Sequence, residues 1–429
     1  MRRRVVITGM GVITPLGHSV GELFASQVEG RTAVGPITHF DARTFPTTFA
    51  SEVTGFDLAK FIPNAARYAN CGVNTHFALA AGRMALAEAG LLHENGDRSR
   101  MGVYLGSGEG KEDFEALTSS TAAGTQPGER TTNIRRAVGL LMQRLSGPQE
   151  EQQEMFVPSG YLANEFALDG PFASCQTACA ASSQAIGEAL EMIRTGEADI
   201  MLAGGSHSMI TPLGISGFNR LTALSQRNDS PQTASRPFDL TRDGFVIGEG
   251  AGLMVLEELE SAKARGANIL AELTGYGSTA DAFRMTDPHP EGKGAIRAIA
   301  DALTDAGLNA TDIGYVHAPG TSTQANDAAE TKGIKAVFGP HAYKVPVSSS
   351  KSMLGHLIAA AGVAELVITV TALRNGVIPP TINLETPDPE CDLDYVPKHA
   401  REVRFRHALS NSFGFGGQNI SLVVSEFKG

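Results

Sequence analysis

The sequence predicts an α/β protein, a mostly parallel sheet flanked by helices and assembled from two similar units. Three observations carry that expectation. Short runs rich in β-branched and apolar residues alternate with Ala-rich stretches of helical spacing, the order that builds parallel sheets with helical crossovers. The same alternation starts again near residue 266, after the Gly-rich passage Gly244-Phe245-Val246-Ile247-Gly248-Glu249-Gly250. Finally, a chain of 429 residues that is 42% hydrophobic exceeds one simple core of about 150 residues.

The elements follow in order. Val5 to Thr8 is a first buried strand behind a basic head that lacks the apolar stretch of a signal peptide. Gly9-Met10-Gly11-Val12 misses the third glycine of a dinucleotide loop and soon meets Pro15, so it is not read as one. A helix, Phe77 to Ala89, leads to a strand, Met101 to Leu105. The passage Gly106 to Glu112 lacks phosphate-loop spacing and reads as a strand-end turn. From Glu109 to Met155 the chain is polar and rich in Thr, Gln and Glu, with a helix over Thr132 to Leu145; it reads either as an insertion or lid, or as a solvated loop. A strand Phe172 to Ser174, a helix Ala180 to Arg194, strands Ile200 to Ala203 and Leu253 to Glu257, and a helix from Leu259 complete a first unit, residues 1–265. The second unit, 266–429, has a strand from Ala271, a helix Gly294 to Ala306, a strand Tyr315 to Ala318, a helix from His356 and a closing strand Ile420 to Val424.

Composition narrows the function classes. A net charge of −11 with no long basic run argues against nucleic acid as a partner. Cys71, Cys175, Cys179 and Cys391 show no C-x-x-C pairing, so neither a disulfide framework nor a metal site is expected, and a reducing compartment fits. No run approaches the roughly 18 apolar residues of a membrane span, so a cytoplasmic chain with no membrane partner is expected.

Cys179 stands out. It lies in Thr177-Ala178-Cys179-Ala180-Ala181-Ser182-Ser183, just ahead of a helical pattern. A thiol at a helix start is drawn toward thiolate by unpaired N–H groups and the positive end of the dipole, and small neighbours let a carbonyl approach.

Further motifs follow in fixed order: Asp243-Gly244-Phe245-Val246, Gly320-Thr321-Ser322-Thr323, Lys351-Ser352-Met353-Leu354-Gly355-His356 and Asn411-Ser412-Phe413-Gly414-Phe415-Gly416-Gly417. With the Cys179 element they make the chain resemble, over nearly its whole length, the β-ketoacyl-acyl carrier protein synthases, most closely the elongating type II class. The resemblance implies a thiolase-like five-layered αβαβα fold from two similar halves, normally a homodimer. It implies that Cys179 accepts an acyl group and that a malonyl thioester then decarboxylates to a carbanion that attacks it. Backbone N–H groups of Cys179 and Phe415 would form the oxyanion hole, and Phe415, beside Phe413, would gate the acyl pocket. His356 would present a neutral donor to the thioester oxygen, supported by Lys351 and Glu365, while Thr321 and Thr323 would hold the phosphopantetheine arm. The implied partner is an acyl carrier protein or an acyl-coenzyme A; no cofactor is expected.

The chain departs from the family pattern where the family reads His-Gly-Thr and this chain reads Pro319-Gly320-Thr321. Proline offers no donor, and losing one such donor costs about 10² to 10³ in rate. His317 stands two residues upstream, and residues i and i+2 of a strand share a face, so it is expected either to take over partly or to be a hydrogen-bonded interior histidine. Two alternatives to condensation follow: acyl transfer or intramolecular cyclisation without decarboxylation, and a non-catalytic partner of the chain-length-factor kind, against which the retained Cys179 argues. The docking patch for a carrier protein is thin, with Arg67 and a displaced Arg220, and Arg135 and Arg136 are placed to compensate.

Overall fold

The computed structural model describes residues 2–92, 97–108, 113–128 and 130–429. Ten strands carry the architecture: β1 (Val5–Ile13), β2 (Met101–Ser107), β3 (Phe172–Cys175), β4 (Ile200–His207), β5 (Gly250–Glu258), β6 (Ala271–Ala280), β7 (Tyr315–His317), β8 (Val347–Ser348), β9 (His407–Gly414) and β10 (Gln418–Ser425). Their spatial order is β8-β7-β9-β10-β6-β1-β5-β4-β2-β3. The first five therefore stand as β3-β2-β4-β5-β1 and the last five as β8-β7-β9-β10-β6, which is one topology used twice. Strand directions repeat too: β2 is parallel to β3 and β4, as β7 is to β8 and β9, and the remaining pairs in each half are antiparallel. Within the sheet the halves pair through Val6↔Glu272 and Ile7↔Ala271.

The principal helices are α1 (Val73–Glu88), α2 (Phe114–Gly124), α3 (Ile134–Arg144), α4 (Val157–Phe166), α5 (Ala181–Thr195), α6 (Lys293–Ala306), α7 (Gln324–Phe338) and α8 (Ala361–Asn375). Alternate strand residues face opposite layers, as a pleated strand requires. Met254 and Leu256 pack on α5 and α8, whereas Leu253 and Val255 pack on α1 and α4. Leu422 and Val424 likewise face α5 and α8, with Val423 turned to α6 and α7. The result is five layers: α1/α4, one half-sheet, α5/α8, the other half-sheet, α6/α7, as the resemblance implies. Contrary to the sequence reading, one stretch, Ile358–Asn375, does have the length and hydropathy of a membrane span; it contains the enclosed helix α8, apolar nearly all round because 83% of the stretch is buried inside the protein.

Glycines set the spacing between layers. A Cβ on Gly9 or Gly11 of β1 would come within 2.1 Å of a carbonyl oxygen of α1. One on Gly275 or Gly277 of β6 would meet α6 at 2.3 and 2.0 Å. The pair Gly9 and Gly11 thus lets a helix lie against its strand, a structural reason for a motif that resembles part of a nucleotide loop.

Between β2 and α4, α2 and α3 form a helical hairpin in which Ala137 packs against Gly124. Asn133 caps α3 by accepting the Arg136 N–H, and Ile134, Val138 and Met142 form an exposed stripe on it. The polar stretch is therefore ordered as helices in its described part. Residues 109–112, the second half of the predicted strand-end turn, lie outside the described residues.

Candidate active site

Cys179 follows β3 on a single tight turn, Ala178–Ala180, that opens into α5. Ala178 has φ 48°, a left-handed conformation that costs a non-glycine residue of order 1–3 kcal/mol. The other half repeats the device. After β8, Ile358 has φ 45° and starts the turn Ile358–Ala360 into α8. Two strained turns thus bring the N-termini of the two central helices together, and Cys179 and His356 meet there.

His356 is held as tightly as the cysteine. Its backbone N–H donates to Val246 (2.7 Å) and its carbonyl accepts from Gly248 (2.9 Å). Phe245 meets its ring edge-on, with centroids 5.1 Å apart. The N–H of Ile358 donates to Nδ1 (3.2 Å), so in the neutral ring the hydrogen sits on Nε2, which lies 3.0 Å from Cys179 Sγ. Burial, the nearby Lys351 charge and His207 hold its pKa well below the usual imidazole range, keeping that neutral form. Gly355, with φ 71°, separates His356 from the short helix Lys351–Leu354, so the predicted helix from His356 instead begins beyond Ile358.

Opposing influences act on the thiol. Burial pushes the Cys179 pKa up, while Lys351 and the backbone N–H groups of Phe415 and of Cys179 itself favour the thiolate. Those two N–H groups lie beside the sulfur, next to where the oxygen of a carbonyl bonded to it would develop charge. A Cβ on Gly414 would sit 3.2 Å from the backbone nitrogens of Cys179 and Ala180 and from the Thr177 carbonyl, a tight fit that a side chain there would push apart by a few tenths of an ångström.

Cys179, His356, Phe413, Phe415, Thr321 and Thr323 all line one cavity of about 420 Å³. Thr321 and Thr323 join their hydroxyls at 2.9 Å on its wall. Lys351 and Glu365 stand behind it as a buried, hydrogen-bonded ion pair, and burial raises the Glu365 pKa to about 7.

His317 and Pro319 are not brought to this cavity. The imidazole of His317 is buried, with Nε2 3.1 Å from Ser350 Oγ and Nδ1 3.2 Å from both Thr369 Oγ1 and Tyr315 Oη. Of the two expectations for it, the interior one fits. The same-face argument fails because β7 ends at His317 and the chain turns at Gly320, φ 39°. Pro319 is buried, its carbonyl accepting from Ser349 Oγ (3.2 Å), while the Gly320 N–H donates to Glu330 (3.0 Å). Among the described residues His356 is the one histidine that lines the cavity. Sequence reasoning missed Phe245, which fixes the His356 ring although it lies in a quoted motif, and Asn419 and Asp281 on the cavity wall. No motif marks the last two.

Comparison with known proteins agrees with this geometry. The beta-ketoacyl synthase N-terminal domain family matches residues 2–262 and its C-terminal domain family residues 270–385. A 3-oxoacyl-[acyl-carrier-protein] synthase 2 from Coxiella burnetii is 44% identical over 429 residues, covering 99% of each chain. The structure of a beta-ketoacyl synthase from Burkholderia phymatum superposes with a TM-score of 0.89 at 35% identity, covering 99% of this chain and 100% of that one. A type II polyketide synthase structure, an acyl-carrier protein in complex with its ketosynthase bound to the hexaketide, gives 0.86 at 34% identity with full coverage of both.

Proposed function

This chain belongs to the β-ketoacyl synthase family, and we propose that Cys179 takes an acyl group as a thioester and joins it to a malonyl-type thioester in fatty acid or polyketide biosynthesis. The observation that carries the residue roles is the convergence of Cys179 Sγ, His356 Nε2 and the two backbone N–H groups of Cys179 and Phe415.

The steps follow from that geometry. The Cys179 thiolate attacks the carbonyl of the incoming acyl thioester; the oxyanion is met by the Cys179 and Phe415 N–H groups, and the donor's thiolate leaves with a proton. The malonyl thioester then lies along Thr321 and Thr323, its thioester oxygen accepting from His356 Nε2–H. Loss of carbon dioxide leaves an enolate stabilised by that bond. Its carbon attacks the acyl-Cys179 carbonyl and forms the C–C bond; collapse of the tetrahedral intermediate then breaks the C–S bond and releases the Cys179 thiolate. Lys351 and Glu365 hold the field around both groups, and Phe415, beside Phe413, gates the acyl pocket.

A carrier-protein thioester is the proposed donor, with coenzyme A as the other source. Arg220 supports this, since it directly precedes Leu221 and Thr222 on the cavity wall. Arg67 is engaged by Glu165 at 3.4 Å, which leaves it less available. We also propose a cytoplasmic homodimer and two halves, 1–265 and 266–429; β3 ends the sheet with Phe172 half exposed, which supports a second copy there. The single imidazole in the cavity favours one other reading, acyl transfer without decarboxylation. Intact-mass spectrometry with acyl and malonyl thioesters separates the two. Condensation requires an acyl adduct on Cys179 that malonyl thioester discharges as a β-ketoacyl product; an adduct that malonyl thioester never discharges overturns it.

A further inference from the structure

His317 is buried, does not line the cavity, and hydrogen-bonds two separate pieces of chain. Ser350, bound at Nε2, immediately precedes Lys351 at the start of its short helix. Thr369, bound at Nδ1, lies one turn beyond Glu365 on α8 and donates its own hydrogen to the Glu365 carbonyl (2.7 Å). We infer that His317 is a positioning residue, a clip that ties the backbone carrying Lys351 to the helical turn carrying Glu365 and so sets this ion pair behind Cys179 and His356. The inference rests on the reading of Cys179 as the acyl-accepting nucleophile.

The hydrogen-bond polarity supports a fixed clip. Because Thr369 Oγ1 gives its hydrogen to the Glu365 carbonyl, it accepts from His317, which places the ring hydrogen on Nδ1. Nε2 then has only a lone pair and accepts from Ser350 Oγ. One neutral tautomer satisfies both sides, with the Ser350 hydroxyl as the donor to Nε2. Burial and the adjacent Lys351 charge push the His317 pKa down to about 3, so that tautomer persists at working pH. Tyr315 Oη, 3.2 Å from the same Nδ1 and bonded to Ser348 at 2.8 Å, flanks Thr369 there. Lys351 is the opposite charge that favours the Cys179 thiolate, so its placement reaches the nucleophile without contact between His317 and substrate.

The test is the rate of Cys179 alkylation by iodoacetamide from pH 6 to 10, read by peptide mass in the full chain. In His317→Ala the midpoint is expected to rise by about half to one pH unit, which makes labelling at pH 7 about three- to tenfold slower. His317→Gln, whose amide oxygen reaches Ser350, restores part of the loss. A folded His317→Ala chain with the wild-type midpoint overturns the inference. Ser350→Ala and Thr369→Val cut the same two bonds with little change of volume, and serve if His317→Ala does not fold; unchanged midpoints in both overturn it equally. Thioester acylation is scored separately. A wild-type chain that alkylates but never acylates overturns the proposed function, while the midpoint comparison still decides the role of His317.

Discussion

Replacing Gly106 by alanine tests how tightly Cys179 is seated. Gly106 lies on β2 against the first turn of α5, and an ideal Cβ there would stand 2.4 Å from the Ala181 carbonyl carbon, 2.5 Å from the Ser182 nitrogen and 2.6 Å from the Ala181 oxygen. All three are backbone atoms, so no rotamer change relieves the clash. Comfortable carbon contacts begin at about 3.5 Å, so the helix start must retreat by about 1 Å. Cys179 is two residues upstream and moves with it, away from a His356 contact of 3.0 Å. Overpacking of this kind destabilises by about 1–3 kcal/mol. A 1 Å error in reacting geometry costs up to about 10²-fold in rate, or about 2.7 kcal/mol of barrier. Quench-flow acylation followed by intact mass, with denaturant melts on the same samples, measures both. Acylation within twofold of wild type in a folded Gly106→Ala chain would refute the claim that this contact positions the nucleophile.

Other outcomes follow from the same geometry. His356→Ala should lower malonyl decarboxylation by about 10² to 10³ while leaving Cys179 acylation much less affected, as separate single-turnover assays of the two steps will show. Lys351→Met leaves Glu365 buried without its partner and should cost about 3–5 kcal/mol in urea melts at pH 8. At pH 6 the loss should be smaller, because Glu365, already raised to about 7 by burial, takes up a proton. His317 gives a sign-definite acid effect: its folded pKa is about 3 against 6.5 when free, so its contribution is complete above pH 6.5 and is lost as pH falls toward 3. Between pH 6.5 and 5, wild type should lose about 1.6 kcal/mol more stability than His317→Gln, measured by melts at each pH.

Much of the molecule is legible in the sequence because its signals are local. A cysteine among small residues ahead of a helical pattern, or a histidine after Gly355, announces itself, and short apolar, β-branched runs give β1, β5 and β10. Other elements hide their pattern. β9, His407-Ala408-Leu409-Ser410-Asn411-Ser412-Phe413-Gly414, is buried with polar side chains in its interior. α7 buries Asp327 and Glu330, so its apolar stripe is broken by residues that fix the 319–323 turn through Phe238 and Gly320. The orientation of His317 was beyond sequence reasoning for a related reason. Strand alternation holds only while the strand continues, and where β7 stops depends on Ser348, Ser349 and Glu330, all distant in the chain.

The central claim is that Cys179 and His356 suffice for decarboxylative condensation although proline stands at position 319. Carbon dioxide release and β-ketoacyl thioester formation, counted in one reaction of acyl-loaded protein with malonyl thioester, test it most directly. The account predicts both products in equal amounts, with the β-ketoacyl product lost in Cys179→Ala. An acyl group that stays on Cys179 while no carbon dioxide appears would contradict it.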